Sequence, residues 1–176
     1  MIENTQEPIL FFLRSSEQFI VEEMLHFAAR FDEENRTLQE FPTLNCYHEL
    51  YGYKEGDIGV YVMIGSEAAG GAWVRLAKEG HGFVNETTPE LVIGVKPQFR
   101  NRGVGTLLMN QLMYEVAGLY PQMSLCVRSS NPVVSLYTRL GFTEIKDTRR
   151  TTQDRDLEVF TMLKVFTTEE RKNKFL

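Results

Sequence analysis

The sequence predicts one α/β domain in which a sheet of mixed strand direction carries helices on both faces. Three observations lead to this prediction. Short β-rich runs alternate with amphipathic stretches in the order β α (α) β β β α β α β β. The 176 residues include 43% hydrophobic residues, enough to bury one sizeable core. No repeat or linker divides the chain, so we expect a single domain over residues 1–176.

A strand, a helix and a hairpin are predicted in the first half of the chain. Residues 9–13 are a short apolar run, and Ser15 or Ser16 can cap the amphipathic helix that follows, on whose apolar face Phe19 is expected. Residues 59–64 and 71–76 are β-rich, which predicts a hairpin with a somewhat long connection or a bulge.

Residues 31–53, between that helix and the hairpin, have no clear period and are rich in aromatic side chains. Phe41, Tyr47, Tyr51 and Tyr53 either pack a second short helix onto the sheet or line a substrate cleft. The acidic and aromatic residues of this segment, with Asp57, suggest a cationic acceptor.

The loop of residues 77–88 carries His81 between two glycines. A lone loop histidine is expected to be solvated, and the flanking glycines suit a mobile loop over a substrate.

The central strand is predicted over residues 91–95, an apolar run too short for a buried helix. Pro89 and Pro97 bound it, and a proline cannot donate to the ladder of a sheet. A basic glycine loop follows from Arg100 to Gly105, and Thr106 opens a long amphipathic helix.

The last third of the chain is predicted to form a strand at residues 123–127, a short helix at 133–140 and a final pair of antiparallel strands at 142–146 and 157–165. Gly118 and Gly141 end the two helices of this region as C-caps. The strand at 157–165 is expected at an edge, where it could pair with a second copy in a homodimer.

Charge and cysteine content exclude several classes of protein. A net charge of −5 gives no global attraction to nucleic acid, so an anion site must be local. Cys46 and Cys126 have no metal-ligand spacing, so we expect no metal, and Cys126 should lie in the core. The first residues are unlike a signal peptide and no run could span a membrane, which predicts a soluble cytoplasmic protein with no membrane partner.

The glycine loop could bind a phosphate group. Free N–H groups and the positive end of the helix dipole meet at such a helix start, and glycine lets the anion approach the backbone closely. The alternative is a strand-to-helix turn with solvated arginines, and a second motif is needed to decide between them.

The second motif lies at residues 127–142, and the two together resemble the GNAT superfamily of acyl-CoA-dependent N-acyltransferases. The glycine loop is similar to the family's R/Q-x-x-G-x-G/A cofactor motif, and the later stretch to its NPA-x-x-LY-x-x-x-GF motif. In this chain the motifs are Arg100-Asn101-Arg102-Gly103-Val104-Gly105 and Asn131-Pro132-Val133, Leu136-Tyr137, Gly141-Phe142. Val133 replaces the usual alanine, a conservative enlargement that should not abolish binding.

The resemblance covers about residues 70–165 and implies a mixed, mostly antiparallel sheet that is splayed between its two central strands. It implies acetyl-CoA as co-substrate. The implied cofactor contacts fall into three groups. The backbone of Ile93, Gly94, Val95 and Lys96 would pair with pantetheine. The loop with Arg100, Arg102, Gly103, Val104, Gly105 and Thr106 would cradle the pyrophosphate. Asn131 would contact the pantetheine or orient the following helix, and Tyr137 would lie near the cofactor sulfur.

Two residues are candidates for proton transfer. Glu90 aligns with the glutamate that serves as base in several members of the family; its alternative is a solvent-facing residue at the entry of the strand. Tyr137 is the family's usual proton donor to the departing thiolate; its alternative is a tyrosine packed under the sheet. No cysteine or serine is placed convincingly as an acyl carrier, so direct transfer is expected.

The resemblance therefore implies an N-acetyltransferase that acts on a primary amine of a small molecule, peptide or protein. The alternative is a non-catalytic acyl-CoA-binding module or sensor of the same fold. A nucleotide-phosphate enzyme is excluded because the loop lacks the Gly-Lys-Ser/Thr signature of a P-loop.

Overall fold

A computed structural model describes residues 6–172, whose strands form one mixed sheet. The strands are β1 (Pro8–Phe12), β2 (Ile58–Ile64), β3 (Glu67–Arg75), β4 (Glu90–Val95), β5 (Gln122–Arg128), β6 (Thr143–Glu144), β7 (Arg150–Thr151) and β8 (Glu158–Val165). Their spatial order is β1-β2-β3-β4-β5-β8-β6, and β7 also pairs with β8. Only β4 and β5 run parallel. This confirms the predicted fold class.

Helices cover both faces of the sheet. They are α1 (Gln18–Ala28), α2 (Phe31–Glu34), α3 (Val104–Ala117), α4 (Val134–Arg139) and α5 (Thr168–Lys172). The α1 helix packs on β3 and β4 from one side, and α3 packs on β2 and β3 from the other. Within residues 6–172, no helix is both long and apolar enough to cross a membrane.

The two central strands separate soon after they meet. β4 and β5 pair at one position, where Glu90 lies opposite Ser124. Beyond it each strand follows its other neighbour: β4 pairs with β3 and β5 pairs with β8 over their full lengths. The sheet is therefore open between β4 and β5, as predicted, and this opening positions the site.

Gly94 lets α1 lie very close to the open end of β4. An ideal Cβ at this position would be 2.0 Å from the carbonyl oxygen of Met24 in α1, well inside van der Waals contact. The absence of a side chain is thus needed for helix packing on this face.

The segment before β2 is fixed by a buried ion pair. Arg75 donates to both carboxylate oxygens of Asp57, at 2.8 and 2.7 Å, and both side chains are 2% exposed. The same guanidinium donates to the carbonyl oxygens of Cys46, Glu49 and Leu50. These bonds hold an irregular stretch in place where no ladder or long helix does so.

Several local predictions need correction. Neither Ser15 nor Ser16 caps α1; instead the Glu17 carboxylate accepts from the backbone N–H of Arg14 at 2.8 Å. Phe19 is 66% exposed and lies off the apolar face of α1. The connection of the β2–β3 hairpin is short, because only residues 65–66 separate the strands, while the predicted bulge is present between Val62 and Met63.

The predicted edge at residues 157–165 is wrong. β8 lies inside the sheet, with β5 on one side and β6 and β7 on the other, so it offers no free edge to a second copy. The chain start used in the signal-peptide argument (residues 1–5) and the end of the tail (173–176) lie outside the described residues.

Candidate active site

The opening between β4 and β5 leads into a cavity of about 730 Å³. Most of the predicted site residues line it. They are Glu90, Ile93, Gly94, Val95, Arg100, Gly103, Gly105, Thr106, Asn131 and Tyr137. Lys96, Arg102 and Val104 do not.

Lys96 is engaged elsewhere. Its backbone N–H donates to the carbonyl oxygen of Ala69 in β3 at 2.9 Å. Its ammonium pairs with Glu23 at 2.8 Å and with Glu67 at 3.2 Å. Neither group points into the opening, so only Ile93, Gly94 and Val95 of the predicted strand contacts line the cavity.

The bond of Lys96 also sets the direction of the other backbone groups of β4. In an antiparallel pair, alternate residues direct their N–H and C=O groups to the partner strand and away from it. Lys96 and Gly94 therefore face β3, whereas Val95 and Ile93 face the opening. The Val95 carbonyl accepts from Arg100 Nε at 3.0 Å, whereas the Val95 N–H points into the opening.

The first turn of α3 forms the second wall of the opening. Gly103 precedes it at φ +81°, no side chain caps the turn, and it contains no acidic residue. The first bond of the helix runs from Leu107 N–H to the Gly103 carbonyl, so the preceding N–H groups have no partner within the helix. Ideal Cβ atoms at Gly103 and Gly105 would have no atom within 4 Å, so open space lies beside these amides.

The two arginines of the glycine loop differ. Arg100 lies at the cavity but pairs with Asp32 at 3.3 Å and Glu33 at 3.4 Å, so its charge is largely balanced. Arg102 is exposed, with its guanidinium 5.5 Å from the centre of the Phe99 ring.

Val104 differs from both arginines in its position, because its side chain is buried in the core on the α3 side. Its backbone N–H still belongs to the uncapped first turn.

Two arginines that line the cavity form ion pairs with α2. Glu34 accepts from Arg128 at 2.8 Å and from Arg155 at 2.6 Å. Both arginines also donate to the Ala29 carbonyl at the end of α1. Sequence reasoning missed these contacts, because the partners lie 94 and 121 residues apart with no pattern to link them.

These pairs engage most of the acidic residues behind the suggested cationic acceptor. The acids of α2 are matched by arginines, and Asp57 is buried against Arg75. These acids therefore serve the fold, whereas the aromatic residues of the segment lie outside the ion pairs, and the cationic acceptor stays a prediction.

Glu90 is the buried acid of the site, with only 3% of its surface exposed. Its Oε1 accepts from Tyr47 Oη and from the Gly82 N–H, both at 2.8 Å. Burial raises the pKa of Glu90 from its ordinary 4.5 to about 7, although the two hydrogen bonds oppose the rise. The solvent-facing alternative is therefore wrong.

The neighbours of Glu90 correct three expectations. The aromatic segment was expected either to pack onto the sheet or to line a cleft, and Tyr47 does both, since it is buried and also lines the cavity. His81 is partly buried at the cavity rather than solvated, and burial lowers its pKa. Cys126 lines the cavity instead of lying in the core, and burial, with the nearby Glu90, raises the pKa of its thiol to about 12. So high a pKa disfavours a thiolate nucleophile.

Tyr137 is buried on α4, where its ring lies 5.9 Å from that of Phe142 while its side chain borders the cavity. Burial raises its pKa, so the phenol keeps its proton at neutral pH. Asn131 Oδ1 accepts from the Val133 N–H at 3.0 Å and so orients the start of the helix. That contact matches one of its two predicted roles.

Comparisons with known proteins agree with this geometry. The acetyltransferase (GNAT) domain family matches residues 56–144, and no curated protein matches the chain. The ribosomal-protein-S18-alanine N-acetyltransferase of Escherichia coli is similar at 18% identity and a TM-score of 0.63, covering 92% of this chain and 96% of that one.

Two further solved structures are similar. A putative acetyltransferase of Salmonella typhimurium, in complex with acetyl-CoA, has 18% identity and a TM-score of 0.64, covering 92% of this chain and 95% of that one. The spermidine/spermine N-acetyltransferase SpeG of Vibrio cholerae has 18% identity and a TM-score of 0.61, covering 97% and 96%. At such identities the likeness concerns the fold. The family match spans half of the chain, including Glu90 and both motifs, and on this basis the chain belongs to the GNAT acetyltransferase family.

Proposed function

We propose that the protein is an N-acetyltransferase that moves the acetyl group of acetyl-CoA directly to a primary amine of a small molecule, peptide or protein. One observation carries the proposal: the opened edge of β4 and the uncapped first turn of α3 meet at a single cavity that also contains Glu90 and Tyr137.

The residues present fit acetyl-CoA. Free amides at the start of α3, with open space beside Gly103 and Gly105, suit the pyrophosphate. The outward-facing N–H and C=O groups of Ile93 suit the amides of the pantetheine arm, which would add to the edge of β4 as a strand does, and the outward-facing N–H of Val95 suits the thioester oxygen at the end of that arm. We leave Lys96 out of this set, because its amide is already bonded to β3.

The amine must lose a proton before it can attack. An alkylammonium group has a pKa of about 10 and is protonated at neutral pH. A base works best when its pKa lies near the working pH, and the pKa of about 7 at Glu90 meets that condition. Glu90 would therefore accept the proton, directly or through one water.

Acetyl-CoA, when bound, supplies the activated acetyl thioester. The N–H of Val95 would stabilise negative charge that develops on the thioester oxygen. Tyr137 Oη, protonated at neutral pH, would donate a proton to the departing sulfur. The high thiol pKa at Cys126 supports direct transfer over an acyl-cysteine route.

The acceptor is proposed only as a class. The similar structures include a ribosomal-protein-S18-alanine N-acetyltransferase and a spermidine/spermine N-acetyltransferase, so both are named as N-acetyltransferases. We therefore propose a primary amine and extend the assignment no further.

Calorimetric titration with acetyl-CoA, followed by thiol release over a panel of amines and peptides, tests the proposal. We expect saturable binding and amine-dependent release of CoA. Absence of binding at millimolar acetyl-CoA would refute it. Binding without release for any amine, with Tyr137→Phe changing nothing, would instead indicate the non-catalytic module.

A further inference from the structure

The two carboxylate oxygens of Glu90 have different surroundings. Oε1 accepts two hydrogen bonds, from Tyr47 Oη and from the Gly82 N–H, both at 2.8 Å. Oε2 is fully buried and has no hydrogen-bond partner among residues 6–172. A carboxylate oxygen that is buried without a donor is costly, so Oε2 is the atom at which a proton or a donor gains most.

Tyr47 is held so that its own proton must go to Glu90. Its carbonyl accepts from the indole N–H of Trp73 at 2.8 Å, which fixes the backbone. Its hydroxyl oxygen accepts from the His81 N–H at 2.5 Å. Because that bond takes a lone pair of Oη, the hydroxyl hydrogen is left to donate to Oε1 of Glu90.

We propose that Tyr47 is a positioning residue that, with the Gly82 amide, holds Oε1 of Glu90 and so sets the orientation and the proton affinity of the carboxylate that takes the proton of the acceptor amine. The inference rests on the proposed function, in which Glu90 is the base. In the step an N–H bond of the ammonium group, or an O–H bond of one intervening water, breaks and an O–H bond forms on the Glu90 carboxylate. The electron pair remains on the atom that loses the proton, and a water in this position regains a proton from the ammonium.

Gly80 borders the same oxygen. An ideal Cβ on Gly80 would lie 2.0 Å from Oε2, a distance no real contact reaches. The carboxylate can keep its orientation only because this position has no side chain. A methyl group at residue 80 would therefore displace Oε2 without changing any acid, base or hydrogen-bond donor.

Several titratable or charged groups face Glu90, and one of them is distinguished by its contact. The group comprises Cys46 and Tyr47 before β2, Cys126 of β5 and Arg150 of β7. In the covering loop, His81 contacts Tyr47 and Glu79 acts on Cys46, so both reach Glu90 only through these neighbours. Within the described part of the chain, only Tyr47 donates a side-chain hydrogen bond to the carboxylate. Removing its hydroxyl is thus a specific perturbation.

The test compares the wild type with Tyr47→Phe in two measurements. Infrared difference spectra of the protein, with Glu90→Gln as reference, follow protonation of the Glu90 carboxyl without any acceptor present. The pH profile of kcat/KM follows the base during turnover. Loss of a hydrogen bond to the charged form should raise both midpoints by about one pH unit. The Kd for acetyl-CoA should stay the same.

Tyr51→Phe is the matched control. The Tyr51 hydroxyl is also buried but has no hydrogen-bond partner among the described residues, so its removal should leave both midpoints unchanged. Gly80→Ala is the second variant, and we expect a loss of kcat of tenfold or more with an unchanged Kd for acetyl-CoA.

Three results would overturn the inference. The first is an unchanged infrared midpoint in Tyr47→Phe. The second is a shifted infrared midpoint with an unmoved rate profile, which would mean that Glu90 is not the base. The third is full activity in Gly80→Ala. Failure of the proposed function is distinguishable, because the wild type would then release no CoA with any amine while the infrared titration still reported on Tyr47 and Glu90.

Discussion

Replacing Glu90 by glutamine should stabilise the protein at neutral and alkaline pH. Burial raises the pKa of Glu90 from 4.5 to about 7, so between these values the folded state holds a proton that the unfolded state has released. The free energy of unfolding must then fall as pH rises through this interval and level off above it. At about 1.36 kcal/mol per pH unit, the free energy of unfolding falls by about 3 kcal/mol over this interval.

Glutamine removes this penalty and keeps the local contacts. Its side-chain oxygen can still accept from Tyr47 and from the Gly82 N–H. We therefore expect wild type and Glu90→Gln to have similar stability near pH 4.5 and the variant to be more stable by about 3 kcal/mol near pH 8. An active-site substitution that removes activity would thereby raise stability, as expected where function needs an unfavourably placed group.

Urea unfolding followed by circular dichroism at a series of pH values measures this difference. Glu55→Gln is the control, because it removes the same charge from an exposed position and should leave the pH dependence of the wild type in place. If the stability gap between wild type and Glu90→Gln were the same at both ends of the range, the link between burial and protonation at Glu90 would be refuted.

Three other predictions follow from the site and its support. Gly105→Val should weaken acetyl-CoA binding tenfold or more, and Arg100→Ala should weaken it less, because Arg100 is already paired within the protein; calorimetry decides the order. Tyr137→Phe should lower kcat about 100-fold with little change in the Kd for acetyl-CoA, as measured by thiol release and titration. Asp57→Ala should cost about 3–5 kcal/mol in urea unfolding, because it leaves the buried charge of Arg75 unpaired.

Each of these has a contrary outcome. A larger binding loss from Arg100→Ala than from Gly105→Val would contradict the backbone cradle. Equal losses of kcat and binding in Tyr137→Phe would indicate a packing role for that residue. A cost below about 1 kcal/mol for Asp57→Ala would show that the pair is effectively solvated.

The features that the sequence predicted are those determined by residues close together in the chain. Short apolar runs, prolines at strand ends and glycines at helix ends are sequence-local signals, and they predicted α3 and every strand except the two-residue β7. The two motifs have fixed spacing around a strand-to-helix turn, and most of the residues predicted from them line the opening, whereas Lys96, Arg102 and Val104 do not. Predictions that depend on a single side chain were weaker. Ser15 or Ser16 was expected to cap α1, but neither does, and the Glu17 carboxylate accepts from the Arg14 N–H instead.

Contacts between distant segments could not be predicted. Tyr47 lies 43 residues from Glu90, and nothing in either neighbourhood marks them as partners. β8 is an inner strand because β5 and β6 flank it, and the hydrophobic pattern of its own residues does not indicate which strands are its neighbours. Lys96 follows the central strand directly, yet the alternation of the ladder turns its amide away from the opening.

The surroundings of Glu90 balance two opposed effects on its proton affinity. Burial alone favours the neutral acid, and a carboxyl that stays protonated at neutral pH cannot act as a base. Donors alone favour the anion, and a strongly stabilised anion accepts a proton poorly. With two donors on Oε1 and none from the described residues on Oε2, the group has a pKa of about 7, where a base is both ionised and reactive. The irregular segment that carries Tyr47, braced by Arg75 and Trp73, is therefore as much a part of the proposed chemistry as the motif-bearing strand and helix.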